Sequence, residues 1–237
     1  GRGESPLPLP RGERVGVRGA TRYHLHDLTR LFADARLRET PEARADAHKR
    51  HAAHYADVIG AAQKLYEKGG DSIMRGLGLF DSERVNIEAG QAWAAANTEA
   101  DNDAATACNR YAGQGSLLNL RLHARENIHW LEAALIAVRR IKNREAEGRH
   151  LGNLGLAYAS LGETRKAIEY HEQKLTIDRE ISAAPRSEAE QVAARRGEGG
   201  TLINIGTAYA ALGGTLKSVE YYEQALPIVR EIGDRQF

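Results

Sequence analysis

The chain has 237 residues, with 33 Lys and Arg against 32 Asp and Glu, for a formal charge of +1 at pH 7. That balance leaves no global field to draw it toward nucleic acid or an acidic partner, and Arg interleaved with Glu and Asp fits solvated helix faces rather than a basic stripe. No apolar run approaches membrane-spanning length and no secretory signal opens the chain, so no membrane partner is expected. Cys108 is the single cysteine, which excludes an internal disulfide and fits a reducing cytoplasm. The length suits one elongated array or two compact domains. The chain opens at Gly1 without Met and ends three residues after Gly233-Asp234, and it reads as part of a longer protein.

Residues 1–20 are rich in Gly, Pro and Arg with almost nothing to bury, which predicts a flexible arm. Its arginines are not interleaved with aromatic residues, so nucleic acid is not expected as a partner. Next, Tyr23 and Leu25 alternate with His24 and His26, predicting a short strand. Asp27 is then expected to cap a helix carrying Leu28, Leu31, Phe32 and Ala35. Thr40-Pro41-Glu42 supplies a capping hydroxyl, a first-turn proline and an acid near the positive end of a helix predicted to run to Glu67 and stop at Gly69-Gly70. His48, His51 and His54 lie three apart on it. A metal site needs tighter facial clustering with carboxylates behind it, so a solvated or interhelical histidine row is preferred and no metal is expected.

Gly76 and Gly78 predict a loop or short turn over Asp71–Phe80. Asp81-Ser82-Glu83 would then open a helix through Trp93 toward Asn97, packed through Val85, Ile87, Ala89 and Trp93. These segments make residues 21–100 a helical linker region, and residues 101–237 a repeat array.

The array is built from three repeats, 105–142, 147–182 and 187–232. Leu151, Leu154, Gly155 and Tyr158 form an apolar stripe at helical spacing, with Gly155 where a neighbouring helix must come close. Leu161-Gly162 ends that helix, and a second one buries Ala167, Ile168, Tyr170, Leu175 and Ile177. At an offset of 51, Ile205-Gly206 matches Leu154-Gly155, Tyr209 matches Tyr158, Leu212-Gly213 matches Leu161-Gly162, and Tyr221-Tyr222-Glu223-Gln224 matches Tyr170-His171-Glu172-Gln173. At an offset of 40, Asn127–Ile141 aligns without gaps on Ala167–Ile181, and Gln114-Gly115 and Leu118 fall where Leu154-Gly155 and Tyr158 fall later. Ala105–Leu120 and Ala124–Lys142 are therefore read as a degenerate first repeat. Residues 182–200 are an insertion that lengthens the connection by 11 residues relative to the preceding spacing; in it Pro185 marks a break and Ser187, followed by Glu188 and Glu190, can start a helix early. It reads either as a tolerated surface loop or as a contact element beside a groove. One hairpin cannot hide its own apolar face, so neighbours must stack, which predicts an all-α fold.

Gly155, Tyr158 and Ala167, with Gly206, Tyr209 and Ala225, sit where tetratricopeptide (TPR) repeats carry their Gly, Tyr and Ala, and the region resembles that family. Lys174 in the place of Ala225, Ser218 in the place of Ala167 and the lack of a closing Pro depart from the standard repeat. The longer period resembles the variant in kinesin light chains and bacterial signalling ATPases. Tyr23 and Leu25 to Leu28 resemble the end of the winged-helix segment of NB-ARC and related STAND-class ATPases, and FDSERVNIEAGQAWA resembles the block that precedes the repeats in STAND regulators. The resemblance implies a right-handed superhelical solenoid of antiparallel helix hairpins behind a short winged-helix-like remnant, serving as the sensor or scaffold of a cytoplasmic regulator.

No catalytic chemistry stands out. GGTLKS (Gly213–Ser218) lacks P-loop spacing and falls in an inter-helix turn. Spacing alone leaves Ser–His–Asp and Cys–His arrangements open, but Cys108 falls on a repeat helix with no strained turn to present a nucleophile. Glu172 and Glu223 belong to a repeated surface pattern. No enzymatic role and no cofactor are expected. Binding remains: the resemblance implies that Asn153 and Asn204 face a concave groove and hydrogen-bond the backbone of a protein or peptide, with Asn119, Arg149, Leu156 and Thr207 near them. A second reading stands beside it, in which the two Asn residues only satisfy interhelix backbone groups. With no polar capping helix after it in this sequence, the helix carrying Tyr221, Leu226 and Ile228 is expected to offer an unfinished apolar face, so self-assembly into a homo-oligomer is the alternative function.

Overall fold

The computed structural model describes residues 26–184 and 187–233, which form ten α-helices. The chain divides into two compact units, Gly1–Ala47 and His48–Phe237. In the first, α1 (Asp27–Glu39) is capped one residue earlier than predicted: His26 Nδ1 accepts the Leu28 N–H at 3.3 Å, and Asp27 sits in the first turn, where its charge meets the positive helix end. Leu28, Leu31 and Phe32 share an exposed face. The arm over residues 1–20, the strand expected at Tyr23 and Leu25, and Pro185 lie outside the described residues.

α2 (Pro41–Glu67) starts and stops where the sequence predicts, and the second unit begins within it at His48. α3 (Ser72–Asn97) departs from expectation, because it runs unbroken through Gly76 and Gly78. Gly76 is there for contact. A Cβ at that position would lie 2.5 Å from the Ala62 carbonyl oxygen and 2.8 Å from the Tyr66 nitrogen, so only glycine lets α3 lie this close to α2. Ile87 is buried and Trp93 half-buried as predicted, whereas Val85 and Ala89 are exposed, because the longer helix turns its apolar face through Phe80, Ile87 and Ala94.

The expected single helix over Ala105–Leu120 is two. α4 (Asn102–Ala112), capped by Asp101 Oδ1, ends at Gly113, and α5 (Gly115–Arg121) restarts after Gln114. Two glutamines satisfy backbone groups freed by the break: Gln63 Oε1 accepts the Leu117 N–H at 3.0 Å, and Gln114 Nε2 donates to the Arg110 carbonyl at 2.8 Å. Tyr111 at the end of α4 is fully buried, donates to the Ala52 carbonyl at 2.8 Å and meets Trp130 edge-on.

From here α6 (Ala124–Arg140), α7 (Arg144–Ser160), α8 (Thr164–Ala183), α9 (Glu188–Ala211) and α10 (Thr215–Glu231) each pack on the next. The pairing runs in opposite directions along each neighbour: Gly148, Gly152 and Gly155 of α7 face Ile177, Lys174 and His171 of α8, so consecutive helices are antiparallel. Gly162 and Gly213 close equivalent turns at φ 76° and 78°, a region that costs other residues. α9 begins in the insertion, where Glu190 Oε2 accepts the Ser187 N–H at 3.1 Å.

Two repeating polar features tie the layers together. The buried Glu147 takes Arg139 of the preceding helix at 2.8 Å and Arg144 at 2.6 Å, and Arg144 reaches on to Glu180 at 2.7 Å. The set recurs as Arg179, Glu198, Arg195 and Glu231. On the same layers Tyr158 stacks on Tyr170 and Tyr209 on Tyr221, with Lys166 and Lys217 over the first ring of each pair. The Tyr158 hydroxyl donates to Glu132 of the helix before it.

Candidate functional site

A cleft just past the break between α4 and α5 is bounded by α5, α6 and α7. Gly115 and Asn119 line it from α5, Ala124, Asn127 and Leu131 from α6, and Asn153, Leu156, Ala157 and Ser160 from α7, with Leu122 from the turn between α5 and α6. No charged side chain lines it. Asn127, only 6 % exposed, donates from Nδ2 to Asn119 Oδ1 at 2.8 Å. That bond leaves the Asn119 amide nitrogen and the Asn127 carbonyl oxygen without a side-chain or backbone partner among the described residues.

Three of the six residues singled out by sequence, Asn119, Asn153 and Leu156, thus converge on one cleft. Asn204 stands on α9 at the position equivalent to Asn153, half-buried like it, and neither amide makes a hydrogen bond among the described residues. Thr207, equivalent to Leu156, is exposed, and its hydroxyl bonds the Ile203 carbonyl at 2.9 Å and the Tyr222 hydroxyl at 3.1 Å. Arg149 is exposed on α7 and does not line the cleft. Sequence reasoning missed Asn127 and Leu131. The available signal was Asn127 itself, a carboxamide aligned on the small Ala167 and Ser218.

The groups that would carry chemistry are occupied otherwise. Cys108 is buried, and burial pushes its thiol up to about 12, so the thiolate nucleophile is suppressed. Lys217 of the GGTLKS stretch lies over the Tyr209 ring at 4.9 Å. Burial holds the pKa of half-buried His51 below its ordinary value, and the ring packs on Tyr55. Among the described residues no group of three or more His, Cys, Asp or Glu could hold a metal, and no helix is long and apolar enough to cross a membrane.

The tetratricopeptide repeat family model matches residues 151–182, the α7–α8 hairpin. Among solved structures, a signal transduction ATPase with numerous domains (STAND) carrying a tetratricopeptide repeat sensor, from Pyrococcus horikoshii, aligns with 79 % of this chain at 18 % identity and a TM-score of 0.52. The alignment takes in 25 % of that protein, so this chain spans about a quarter of its length. MamA aligns with 78 % of the chain and 94 % of its own at 20 % identity and a TM-score of 0.41. Kinesin light chain TPR-like repeats from Podosopora anserina align with 78 % of the chain and 99 % of their own at 14 % identity and a TM-score of 0.37. No curated protein matches the sequence. The first of these likenesses bears on the fold, which is an all-α TPR array.

Proposed function

We propose that the array is a protein-interaction scaffold that holds an extended peptide or protein segment along the first helices of successive hairpins, with Asn119, Arg149, Asn153, Leu156, Asn204 and Thr207 along its path. The pair Asn153 and Asn204 carries this reading. They recur at one repeat position, half-buried, with amides that bond nothing among the described residues. A carboxamide offers an acceptor and two donors, which matches the N–H and C=O of a peptide unit, and a residue kept only to satisfy interhelix groups would be bonded to them. The protonated, buried Cys108 thiol supports a role without catalysis. The likeness in fold to a STAND sensor supports a sensing role in a cytoplasmic, NB-ARC-like regulator. In such a regulator, partner binding would move a closed ATPase toward an open, oligomerising state only if the partner binds the open state more tightly.

The double variant Asn153→Ala, Asn204→Ala should weaken calorimetric affinity for a purified partner captured by the wild type by more than about tenfold, with thermal unfolding unchanged. Undiminished affinity removes the two amides from the binding path.

A second reading, self-association through α10, is favoured by one comparison. Leu226 is 47 % exposed, whereas its repeat equivalent Leu175, covered by α9, is 6 % exposed. Sedimentation should show a dimer that Leu226→Glu converts to monomer; a wild-type monomer at every accessible concentration ends that reading.

A further inference from the structure

Residues that line the α5–α6–α7 cleft are replaced at the equivalent positions of the following layers. Asn119 is followed by Ala159 and Ala210, Asn127 by Ala167 and Ser218, and Leu131 by His171 and Tyr222, whose rings fill the space against Gly155 and Gly206. In the first layer Gly115 holds the place of Gly155, and a Cβ there would meet no side chain of α6 within 4 Å, so Leu131 does not fill this space as His171 does. What remains is a cavity of about 280 Å³, below the size of pockets that enclose a small-molecule ligand and suited to one or two amino-acid side chains.

Its chemistry has two parts. Leu122, Leu131 and Leu156, with Ala124 and Ala157, give an apolar wall. Around it stand the Asn127 carbonyl oxygen, the Asn119 amide nitrogen and the unbonded Asn153 carboxamide. Asn127 holds its polar atom at the cleft from a nine-tenths buried position, so that acceptor is built into the fold. A charged guest would lose its hydration with no counter-charge to meet it, and the cleft therefore excludes Lys, Arg, Asp and Glu. Gly115 lines the cleft beside Asn153, and a Cβ there would meet Asn153 Nδ2 at an ordinary contact distance of 3.6 Å.

We propose that this cleft is the specificity pocket of the groove, taking one aliphatic side chain of Val, Leu, Ile or Met from an extended partner segment while Asn119, Asn127 and Asn153 bond the N–H and C=O of the flanking peptide units. The inference rests on the groove reading above and adds to it the residue class the partner must present and its place. A phosphorylated or acidic motif does not fit, because the lining offers no cation.

The test uses a phage-displayed library of linear peptides panned on the whole chain, with selected peptides resynthesised and measured by fluorescence anisotropy. The pocket predicts one fixed aliphatic position in the selected set. Replacing that residue by Lys or Asp should weaken binding by about tenfold to a hundredfold, the range expected for losing one buried aliphatic side chain, whereas Leu, Ile and Met should interchange. On the protein, Leu156→Asp and the cleft-filling Ala157→Met should each cause a comparable loss. Leu156 is exposed and Ala157 half-buried on α7, and matched unfolding curves verify the fold of each variant. Binding that survives both variants but is lost with Asn204→Ala overturns the pocket and leaves the groove standing. Peptides indifferent to all three variants, or no selected peptides at all, overturn pocket and groove together.

Discussion

Acidification should strip stability from the array well before ordinary carboxylates protonate, and His171→Leu should remove a defined share of that loss. His150 on α7 and His171 on α8 are both buried, and burial lowers each imidazole to about 4, with Arg149 and Lys174 respectively adding to the effect and Asp178 opposing it at His171. An unfolded chain protonates these residues near 6.5. Between those values the unfolded state binds more protons than the folded one, so folding stability falls as pH drops and is fully present only above about 6.5. Each histidine should remove about 2 kcal/mol by pH 5 and roughly 3 by pH 4.

Glu147 works in the same direction. Burial raises its pKa, but the ion pairs with Arg139 and Arg144 outweigh burial and hold the carboxyl below its usual range, so its contribution is also lost as pH falls. Leucine is the natural replacement for His171 because Leu131 occupies the equivalent place on α6. Urea unfolding at pH 7.5 and pH 5 should give a smaller difference for the variant, by about 2 kcal/mol. A pH dependence identical to wild type would show that the His171 ring titrates normally in the folded state.

These histidines also show how far the sequence could be read. The stacking of α7 to α10 was legible because Leu154-Gly155, Tyr158 and Leu161-Gly162 recur as Ile205-Gly206, Tyr209 and Leu212-Gly213, and each of those identities is imposed by local geometry: a close approach, a ring stack, a turn at positive φ. The early start of α9 was legible from Ser187 and Glu190 for the same reason. Where a residue answers to a distant partner, single-chain signals misled. Gly76 looks like a helix breaker but is a contact residue facing the Ala62 carbonyl. The α4–α5 break is sustained by Gln63, more than fifty residues away. The site divides along the same line. Asn119, Asn153 and Leu156 were marked by the resemblance to TPR arrays, whereas Asn127 lines a cleft that periodicity cannot foresee. The Arg–Glu ladder through Glu147 and Glu198 recurs as faithfully as the glycines, yet alternating charge on a helix reads as solvated surface until one of the glutamates is found buried.

Gly155→Ala should destabilise the array by about 1–2 kcal/mol, while Gly206→Ala at the equivalent position should stay within about 0.5 kcal/mol of wild type. Within a helix, alanine is intrinsically better than glycine by roughly 0.5–1 kcal/mol, so both substitutions begin with a favourable term. At residue 155 the new Cβ would stand 2.5, 2.6 and 2.7 Å from Cε1, Nε2 and Nδ1 of His171. That ring is 2 % exposed and lies on α8 against α7, so relief requires the helices to part, and overpacking of this kind typically costs about 1–3 kcal/mol. At residue 206 the Cβ would stand 2.7 and 2.9 Å from Cε1 and Cδ1 of Tyr222, and 3.2 Å from the Ser218 carbonyl oxygen, a contact that a shift of a few tenths of an ångström relieves. Tyr222 is 39 % exposed and can swing outward, giving up little more than its hydroxyl contact with Thr207, so the helix-propensity gain offsets most of the cost. A double-mutant cycle isolates the cause: in a His171→Ala background the Gly155→Ala penalty should vanish, because the atoms it meets are gone. If the penalty persists there, the close approach of α7 and α8 is set by backbone contact rather than by the imidazole, and the two glycines should then behave alike.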